Sequence, residues 1–203
     1  MRQIFLLMLV VGIWMGGCTL VQGWNRLGLN MDKNASIVII TKEVTEFFQI
    51  KEASATLYFK NIQTNKEYTM VIRDGGLSDV LAINLPVGNY RIDRWVYDAC
   101  RTKVTDKYGN YLHCQDYYRF KGKTAPLIHN QFTIKAGERL YLGHVKFEIV
   151  SGMLSWSNRG VGDIQLIATQ LGFNPKEIKN IANQLDIEYW KFEPTGYKTM
   201  WEW

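Results

Sequence analysis

Short segments in which apolar and polar side chains alternate recur between residues 36 and 150 of this chain. In "SATLYFKN", Leu57 and Phe59 fall on one face while Tyr58 and Lys60 fall on the other. A period of two is typical of a strand with one buried face, and clusters of Gly, Pro, Asn and Asp separate the segments. The pattern predicts a mainly β protein that folds as an antiparallel β-sandwich.

Further segments give the same alternation and define the expected inner faces. The turn "PVGN" at residues 86–89 separates two of them, and a turn at Ala136-Gly137 opens another. The side chains expected to share an inner face within their own segment are Tyr68, Met70 and Ile72; Leu81, Ile83 and Leu85; Tyr90 and Ile92; and Tyr141, Gly143, Val145, Phe147 and Ile149.

Two of these stretches resemble a known family. They are "LPVGNYRI" at residues 85–92 and "IKAGERLYLGHVKF" at residues 134–147. They are similar to the L-P-x-G-x-Y turn and the A-G-E-x-x-Y-L-G strand of transthyretin-like, or prealbumin-like, sandwich domains in small bacterial lipoproteins, many of unknown function. The resemblance covers residues 35–150 and implies the fold, with the Tyr90 ring turned inward after the turn. It transfers no functional residue to this chain.

The first eighteen residues have the features of an export signal. The apolar run over residues 4–14 is eleven residues long, whereas a helix needs about 20 to cross a bilayer core. Arg2 precedes the run, and the small residues Gly16 and Gly17 follow it, as in a cleaved signal peptide. The ending "MGGC" resembles the lipobox of bacterial lipoproteins, with Met15 in place of the usual leucine.

The lipobox resemblance implies cleavage before Cys18 and a diacylglyceryl group, with acyl chains such as palmitate, on its sulfur. Removing 17 of the 203 residues leaves a mature chain of 186. Two or more acyl chains anchor a protein stably, so the lipid bilayer is an expected partner. Thr19 stands where some members of the family carry the Asp that keeps them at the inner membrane, and it therefore favours the outer membrane. The alternative is an ordinary signal peptide followed by an incidental cysteine.

The remaining cysteines, Cys100 and Cys114, are expected to form a disulfide in an exported chain. Thirteen residues separate them, and the middle of that stretch, residues 106–110, has the Asp, Gly and Asn content of a hairpin turn. Two cysteines at nearly equal distances from a turn face each other on antiparallel strands. A metal or redox pair is the alternative, although the chain has no C-x-x-C motif.

The expected domain order is a signal peptide at 1–17, a tether at 18–34, the sandwich at 35–150 and a C-terminal segment at 151–203 that packs on it. In that segment, residues 151–163 are expected to form a loop and residues 174–186 a helix. Asn174 can cap the helix and Pro175 suits its first position. The expected apolar face comprises Ile178, Ile181, Ala182 and Leu185, and a partner is the alternative to the sandwich as the surface against which it packs.

The aromatic tail, residues 189–203, carries an unusual amount of aromatic surface. Trp190, Trp201 and Trp203 can fold back onto the domain, bind sugar rings, or join the sheet of another chain. All three readings stay open at this point.

No motif in the sequence indicates catalysis. There is no G-x-S-x-G, P-loop or H-E-x-x-H, and His113, His129 and His144 are not spaced as metal ligands. His144 lies within a strand, where a hydrogen-bonded or exposed imidazole is the commoner case. The net charge is +5, but the basic residues are spread along the chain and form no run that would indicate nucleic-acid binding. We expect no cofactor and no metal.

Three functions remain as hypotheses. The first, which we favour, is a non-enzymatic lipoprotein of the bacterial cell envelope with a structural or protein-interaction role in an envelope assembly. The second is carbohydrate binding, with a stacking platform beside the disulfide. The third is a hydrolase, for which Asp93, Asp98 and Asp116 are candidate carboxylates, although solvated surface charge is the expected reading of all three. The platform of the second hypothesis comprises Tyr108, Tyr111, Tyr117 and Tyr118.

Overall fold

The computed structural model of the chain describes residues 28–45, 52–73, 79–100, 103–114, 117–123, 130–148, 153–185 and 192–193. Strands dominate this part of the chain, which also contains a single α-helix, so the protein is mainly β, as predicted. None of the helices formed by these residues is long and apolar enough to cross a membrane.

The strands and helix have the following bounds. The strands are β1 Ile37–Thr45, β2 Glu52–Asn61, β3 Glu67–Arg73, β4 Val80–Asn84, β5 Gly88–Cys100, β6 Lys103–Thr105, β7 Tyr111–Cys114, β8 Tyr117–Lys123, β9 Gln131–Ile134, β10 Arg139–Glu148, β11 Met153–Ser157, β12 Ile178–Asn180 and β13 Phe192–Glu193. The helix is α1 Val161–Leu171, and short 3-10 turns form at Pro175–Glu177 and Ala182–Gln184.

The strands form two main sheets and one separate hairpin. Sheet A has the order β11-β10-β1-β4, with β12 also paired to β10. Sheet B has the order β13-β8-β5-β2-β3, with β9 also paired to β5, while β6 and β7 pair with each other. β1 and β12 both run parallel to β10, so the prediction of a wholly antiparallel sandwich is wrong for sheet A. Parallel pairing is possible because a long stretch of chain separates β1 from β10, whereas hairpin neighbours must be antiparallel.

One hydrophobic core lies between the two sheets. Sheet A contributes Val38 and Ile40, and sheet B contributes Leu57, Phe59 and Trp95, all fully buried. Burial of this apolar surface is the main favourable term for the fold.

A second core covers the opposite face of sheet A. Ile37 and Ile39 of β1 pack there against Ile167 and Leu171 of α1. Sheet A is therefore buried on both faces, which explains why residues 37–40 form an uninterrupted apolar run where a half-exposed strand would alternate.

The alternating segments of sheet B and β4 pack as predicted. Tyr90 is fully buried, and its hydroxyl donates to the carbonyl of Pro86 across the turn at 2.8 Å. The residues that meet the inter-sheet core as expected are Leu57, Phe59, Tyr68, Met70, Ile72, Leu81, Ile83, Leu85, Tyr90 and Ile92.

The single inner face predicted for β10 is wrong at Tyr141. Opposite β1, Ile39 pairs with Tyr141 and Ile40 pairs with Gly143, so Leu142 is an extra residue that forms a β-bulge. The bulge reverses the alternation, and Tyr141 enters the core beside α1 while Val145 and Phe147 enter the core between the sheets. Ile149, the last member of the predicted set, lies outside the described residues.

The predicted loop at 151–163 contains β11 and the start of α1 instead. The helix covers Val161–Leu171 and buries Asp163, Ile167 and Leu171 on one side. Gly172 ends the helix in the left-handed conformation, with its N–H bonded to the carbonyl of Ala168 at 2.8 Å.

The predicted helix at 174–186 is wrong. Asn174 caps a first turn, since its side chain accepts a hydrogen bond from the Lys176 N–H, but the turn is 3-10 and ends at Glu177. Ile178 then pairs with Arg139 as the start of β12, so strand pairing to sheet A overrides the helical pattern. The four apolar side chains of the predicted face are nevertheless buried: Ile178, Ile181, Ala182 and Leu185.

The last part of the predicted tether lies against the folded body. Leu29 and Met31 pack on the core beside α1. Asn30 and Asn84 exchange two hydrogen bonds, from the Asn30 N–H at 2.7 Å and from the Asn84 side-chain amide at 3.0 Å.

Candidate functional site

A polar cavity opens at the end of the apolar part of β1, beside the first turn of α1. Its volume is about 320 Å³, at the lower end of the range for small-molecule sites. The lining residues are Thr41, Lys42, Glu43, Val44, Asp79, His144, Arg159, Asp163 and Leu166.

Three elements bring the polar groups together. In β1 the apolar run ends at residue 40, and the next residue, Thr41, pairs in parallel register with His144 of β10. Asp163 lies in the first turn of α1, on the same buried side as Ile167 and Leu171. The cavity therefore forms where a strand pair and a helix each place a polar residue within an otherwise apolar layer.

A chain of hydrogen bonds runs from Asp163 to His144. The Tyr141 hydroxyl donates to Asp163 Oδ2 in a short bond. The Thr41 hydroxyl lies 3.0 Å from the Tyr141 hydroxyl and 3.1 Å from His144 Nδ1. All four side chains are buried.

The direction of each bond in this chain follows from the supply of protons. Tyr141 has one hydroxyl proton and gives it to Asp163, so it must accept from Thr41. Thr41 then has no proton left and must accept from His144 Nδ1–H. In the neutral imidazole, Nε2 consequently carries a lone pair.

Nε2 of His144 is buried and has no hydrogen-bond partner among the described residues. The carboxylate oxygen Oε2 of Glu43 lies 3.7 Å from this nitrogen. The same carboxylate oxygen accepts from Arg159 Nη2 at 2.5 Å. The side chains of Glu43 and Arg159 are 45% and 51% exposed, so this ion pair lies at the mouth of the cavity while His144 lies on its floor.

These surroundings shift three pKa values. Burial and the nearby Arg159 guanidinium lower the pKa of His144, although the carboxylates of Asp163, Glu43 and Asp79 oppose that change. The hydrogen bond from Arg159 lowers the pKa of Glu43. Burial and the bond to Asp163 raise the pKa of the Tyr141 hydroxyl. At neutral pH the floor of the cavity is therefore a neutral imidazole.

The lowered pKa of His144 predicts a loss of stability in acid. Below about pH 6.5 the unfolded chain protonates this side chain while the folded chain resists, so the stability present at neutral pH is lost as the pH falls through the folded pKa. In His144→Asn the amide can still donate to Thr41, but this titration is absent. Urea unfolding at about pH 7.5 and about pH 5 should show a smaller acid-induced loss in His144→Asn than in wild type. Equal losses in the two proteins would contradict the assignment.

The geometry does not suit nucleophilic catalysis by Thr41. A nucleophilic hydroxyl needs a base that accepts its proton, whereas here His144 donates to Thr41 and Thr41 donates to Tyr141. The described residues also contain no group of three or more His, Cys, Asp or Glu side chains arranged to hold a metal ion. The cavity contains a hydrogen-bond acceptor without a partner among the described residues, Nε2 of His144, next to the carboxylate of Glu43.

Among the described residues considered in the sequence analysis, His144 alone lines this cavity, and it is hydrogen-bonded to Thr41 of the neighbouring strand β1. Cys100, at the end of β5, is disulfide-bonded. Cys114 ends β7, and its side chain, with those of Tyr111, Tyr117 and Tyr118, lies outside what the structure describes. Cys18, Trp190, Trp201 and Trp203 also lie outside the described residues, so the lipidation site and most of the contact residues stay predictions.

Among the candidate hydrolase carboxylates, Asp93 contacts Arg91 at 2.7 Å and Arg94 at 2.9 Å. Asp98 lies in β5, and Asp116 lies outside the described residues. The Asp93 carboxylate therefore forms ion pairs with two arginines and is 19% exposed.

The hairpin arm, residues 103–114, forms the predicted turn. Asp106 holds the turn, since its side chain accepts from the Tyr108 and Asn110 N–H groups at 2.8 Å each. At and beyond this turn, Tyr108 is 77% exposed and Leu112 is 57% exposed. The described residues of the arm contribute to neither hydrophobic core.

Sequence reasoning missed most of the cavity residues. Asp163 carried the clearest signal, because a carboxylate interrupts the apolar series that continues through Ile167 and Leu171. A second signal was the change from apolar to polar at Thr41, immediately after four buried residues. Arg159 and Asp79 lie in loops and had no pattern that could place them beside β1.

Comparison with known proteins gave no match among family models, curated proteins or solved structures.

Proposed function

We propose that the chain is a lipid-anchored protein of the bacterial cell envelope, at the outer membrane, with a non-catalytic role in a protein assembly. In this proposal the acyl chains on Cys18 hold the protein to the bilayer, and the two-sheet body is a sandwich of transthyretin or immunoglobulin type. The Cys100–Cys114 disulfide closes the base of the hairpin arm.

The observation that carries the interaction role is the hairpin arm. A two-stranded hairpin is marginally stable alone, yet this one is held by the Asp106 hydrogen bonds and has a disulfide-bonded cysteine, Cys100, shortly before it. It leaves Tyr108 and Leu112 in solvent, and its described side chains belong to neither core. Ordered apolar side chains that do not support the fold are typical of contact surfaces.

The proposed absence of catalysis is supported by the direction of the hydrogen bonds in the polar cavity. In this cavity the hydroxyl beside the imidazole, that of Thr41, accepts from His144 and so receives no help in losing its own proton.

A protein contact suits the arm better than a sugar contact. The ammonium of Lys107 lies 4.9 Å from the centre of the Tyr108 ring and occupies one of its faces. A sugar that stacks on Tyr108 would have to use the other face, whereas a protein partner can contact the ring edge, the exposed face and Leu112 together. The aromatic tail, with Trp190, Trp201 and Trp203, is proposed as a second contact.

The test is site-specific photo-crosslinking in cells of the source bacterium. A benzophenone amino acid at position 108 should give a discrete crosslinked product, because a bound partner lies against that side chain. The same reagent at Val87, which is 60% exposed on the turn before β5, is the matched control and should give little product.

The anchor is tested in the same cells. Radiolabelled palmitate should enter the wild-type chain, and Cys18→Ser should lose the label and most of the crosslink at position 108. Equal crosslinking at positions 108 and 87, or none at either position, would contradict the interaction role. Absence of label in the wild type would contradict the anchor alone.

A further inference from the structure

The floor of the polar cavity presents a hydrogen-bond acceptor that the protein does not use. His144 is 3% exposed, and its Nε2 has no hydrogen-bond partner among the described residues. The proton order of the chain from Asp163 makes Nε2 an acceptor, since Nδ1 holds the proton of the neutral ring. Leaving such a group unpaired in a buried position is unfavourable, so a ligand that supplies a donor is favoured.

The charges around this acceptor favour a cation. Three carboxylates line the cavity, those of Glu43, Asp79 and Asp163, against two cations. Both cations are engaged, because Lys42 Nζ donates to the Arg73 carbonyl at 3.2 Å and Arg159 pairs with Glu43. The lining therefore has one more negative than positive charge while His144 is neutral.

The cation that fits is organic. The part of the chain that the structure describes has no group of three metal-ligating side chains, and a single water or ion would fill only a small part of about 320 Å³. Nε2 of His144 and Oε2 of Glu43 are 3.7 Å apart, so one ammonium nitrogen can contact both at about 2.8 Å.

We propose that the cavity binds a small molecule through a primary ammonium group that donates to His144 Nε2 on the floor and to Glu43 at the mouth. Free amines of the size of an amino alcohol or an amino sugar fit the volume. This site is separate from the hairpin arm and does not depend on the proposed interaction role.

Two matched pairs of probes test the ammonium chemistry by calorimetry on the full-length chain in detergent. Ethanolamine and choline both carry a positive charge, but choline has no N–H to donate. Glucosamine and N-acetylglucosamine share a sugar ring, but acetylation removes the charge. We expect ethanolamine and glucosamine to bind at least about tenfold more tightly than their counterparts, because a hydrogen bond to a charged group is lost in each comparison.

Variants connect the binding to the named groups. His144→Asn keeps a donor for Thr41 but removes Nε2, and Glu43→Gln removes the charge from a half-exposed side chain with little risk to folding. Each should weaken glucosamine binding about tenfold. Glu148→Gln is the control, since Glu148 is 38% exposed, pairs with Lys146 at 3.5 Å and does not line the cavity, and its binding should equal that of wild type.

Nitrogen NMR of the histidine side chains gives an independent readout. Saturating glucosamine should move the Nε2 resonance of His144 away from its lone-pair position, while His113 and His129 stay unchanged. Equal affinity for choline and ethanolamine, binding unaffected by His144→Asn, or an unchanged Nε2 resonance would each overturn the proposal. If none of the four probes binds detectably, the proposal is overturned as well. None of these results bears on the crosslink at position 108.

Discussion

Replacing Gly143 with alanine should destabilise the protein by about 3 kcal/mol, because backbone strain and crowding act together at this position. Gly143 has a φ of 134°, which residues with a side chain rarely adopt. A Cβ there would lie 2.4 Å from Trp156 Nε1 and 2.9 Å from the Ser157 carbonyl oxygen. The Trp156 indole donates to the Leu142 carbonyl at 2.8 Å, so moving the ring away would break a buried hydrogen bond.

Gly109→Ala is the matched control for this substitution. Gly109 also has a positive φ, 84°, but nothing lies within 4 Å of the position of its Cβ. The control should lose only the backbone term, about 1 kcal/mol. Urea unfolding of the two variants and wild type measures the difference, and equal losses would show that the bulge in β10 tolerates a side chain.

Asp163→Ala should cost about 2–3 kcal/mol, because it removes the carboxylate that accepts from the buried Tyr141 hydroxyl. Without that acceptor, the chain through Thr41 to His144 has no fixed direction. Asp163→Asn retains an oxygen that can accept from Tyr141 and should cost about 1 kcal/mol, part of it from the lost charge near the start of α1.

The comparison between the two variants separates hydrogen bonding from charge. Thermal unfolding at neutral pH should rank the proteins as wild type, then Asp163→Asn, then Asp163→Ala. If the asparagine and alanine variants are equally unstable, the charge of Asp163 is what matters, and the proton order assigned to the cavity is wrong.

The residues of sheet B show what a sequence pattern can establish. Leu57 and Phe59 alternate with Tyr58 and Lys60, and a strand with one buried face is the physical cause of that alternation. Tyr90 could be placed inside because a turn with Pro86 and Gly88 returns the chain to the sheet. In these cases the determinants of structure are near neighbours in the sequence.

Sheet A depends on contacts that no local pattern encodes. The parallel pairing of β1 with β10, the extra residue Leu142 and the conversion of residues 178–180 into β12 all require knowledge of distant partners. Ile178, Ile181, Ala182 and Leu185 fit an amphipathic helix in spacing, but pairing with β10 supplies backbone bonds that the helix would have made internally. The burial of these side chains could be predicted, whereas their secondary structure could not.

The cavity could not be predicted from the sequence for a related reason. Its polar groups come from β1, β10, α1 and two loops, so no single segment of the sequence contains the cavity. The sequence does not show which ring nitrogen of His144 carries the proton. That follows from the hydrogen bond between Nδ1 and Thr41 in the folded structure.

The position of β1 between β4 and β10 also determines when sheet A can be completed. During synthesis from the amino terminus, β1 emerges early, but its parallel neighbour is complete only at residue 148. Until then the edge of β1 that pairs with β10 has no hydrogen-bonded neighbour. Contacts at such long sequence separation form slowly. Sheet A of a growing polypeptide therefore cannot be completed before β10 has been synthesised.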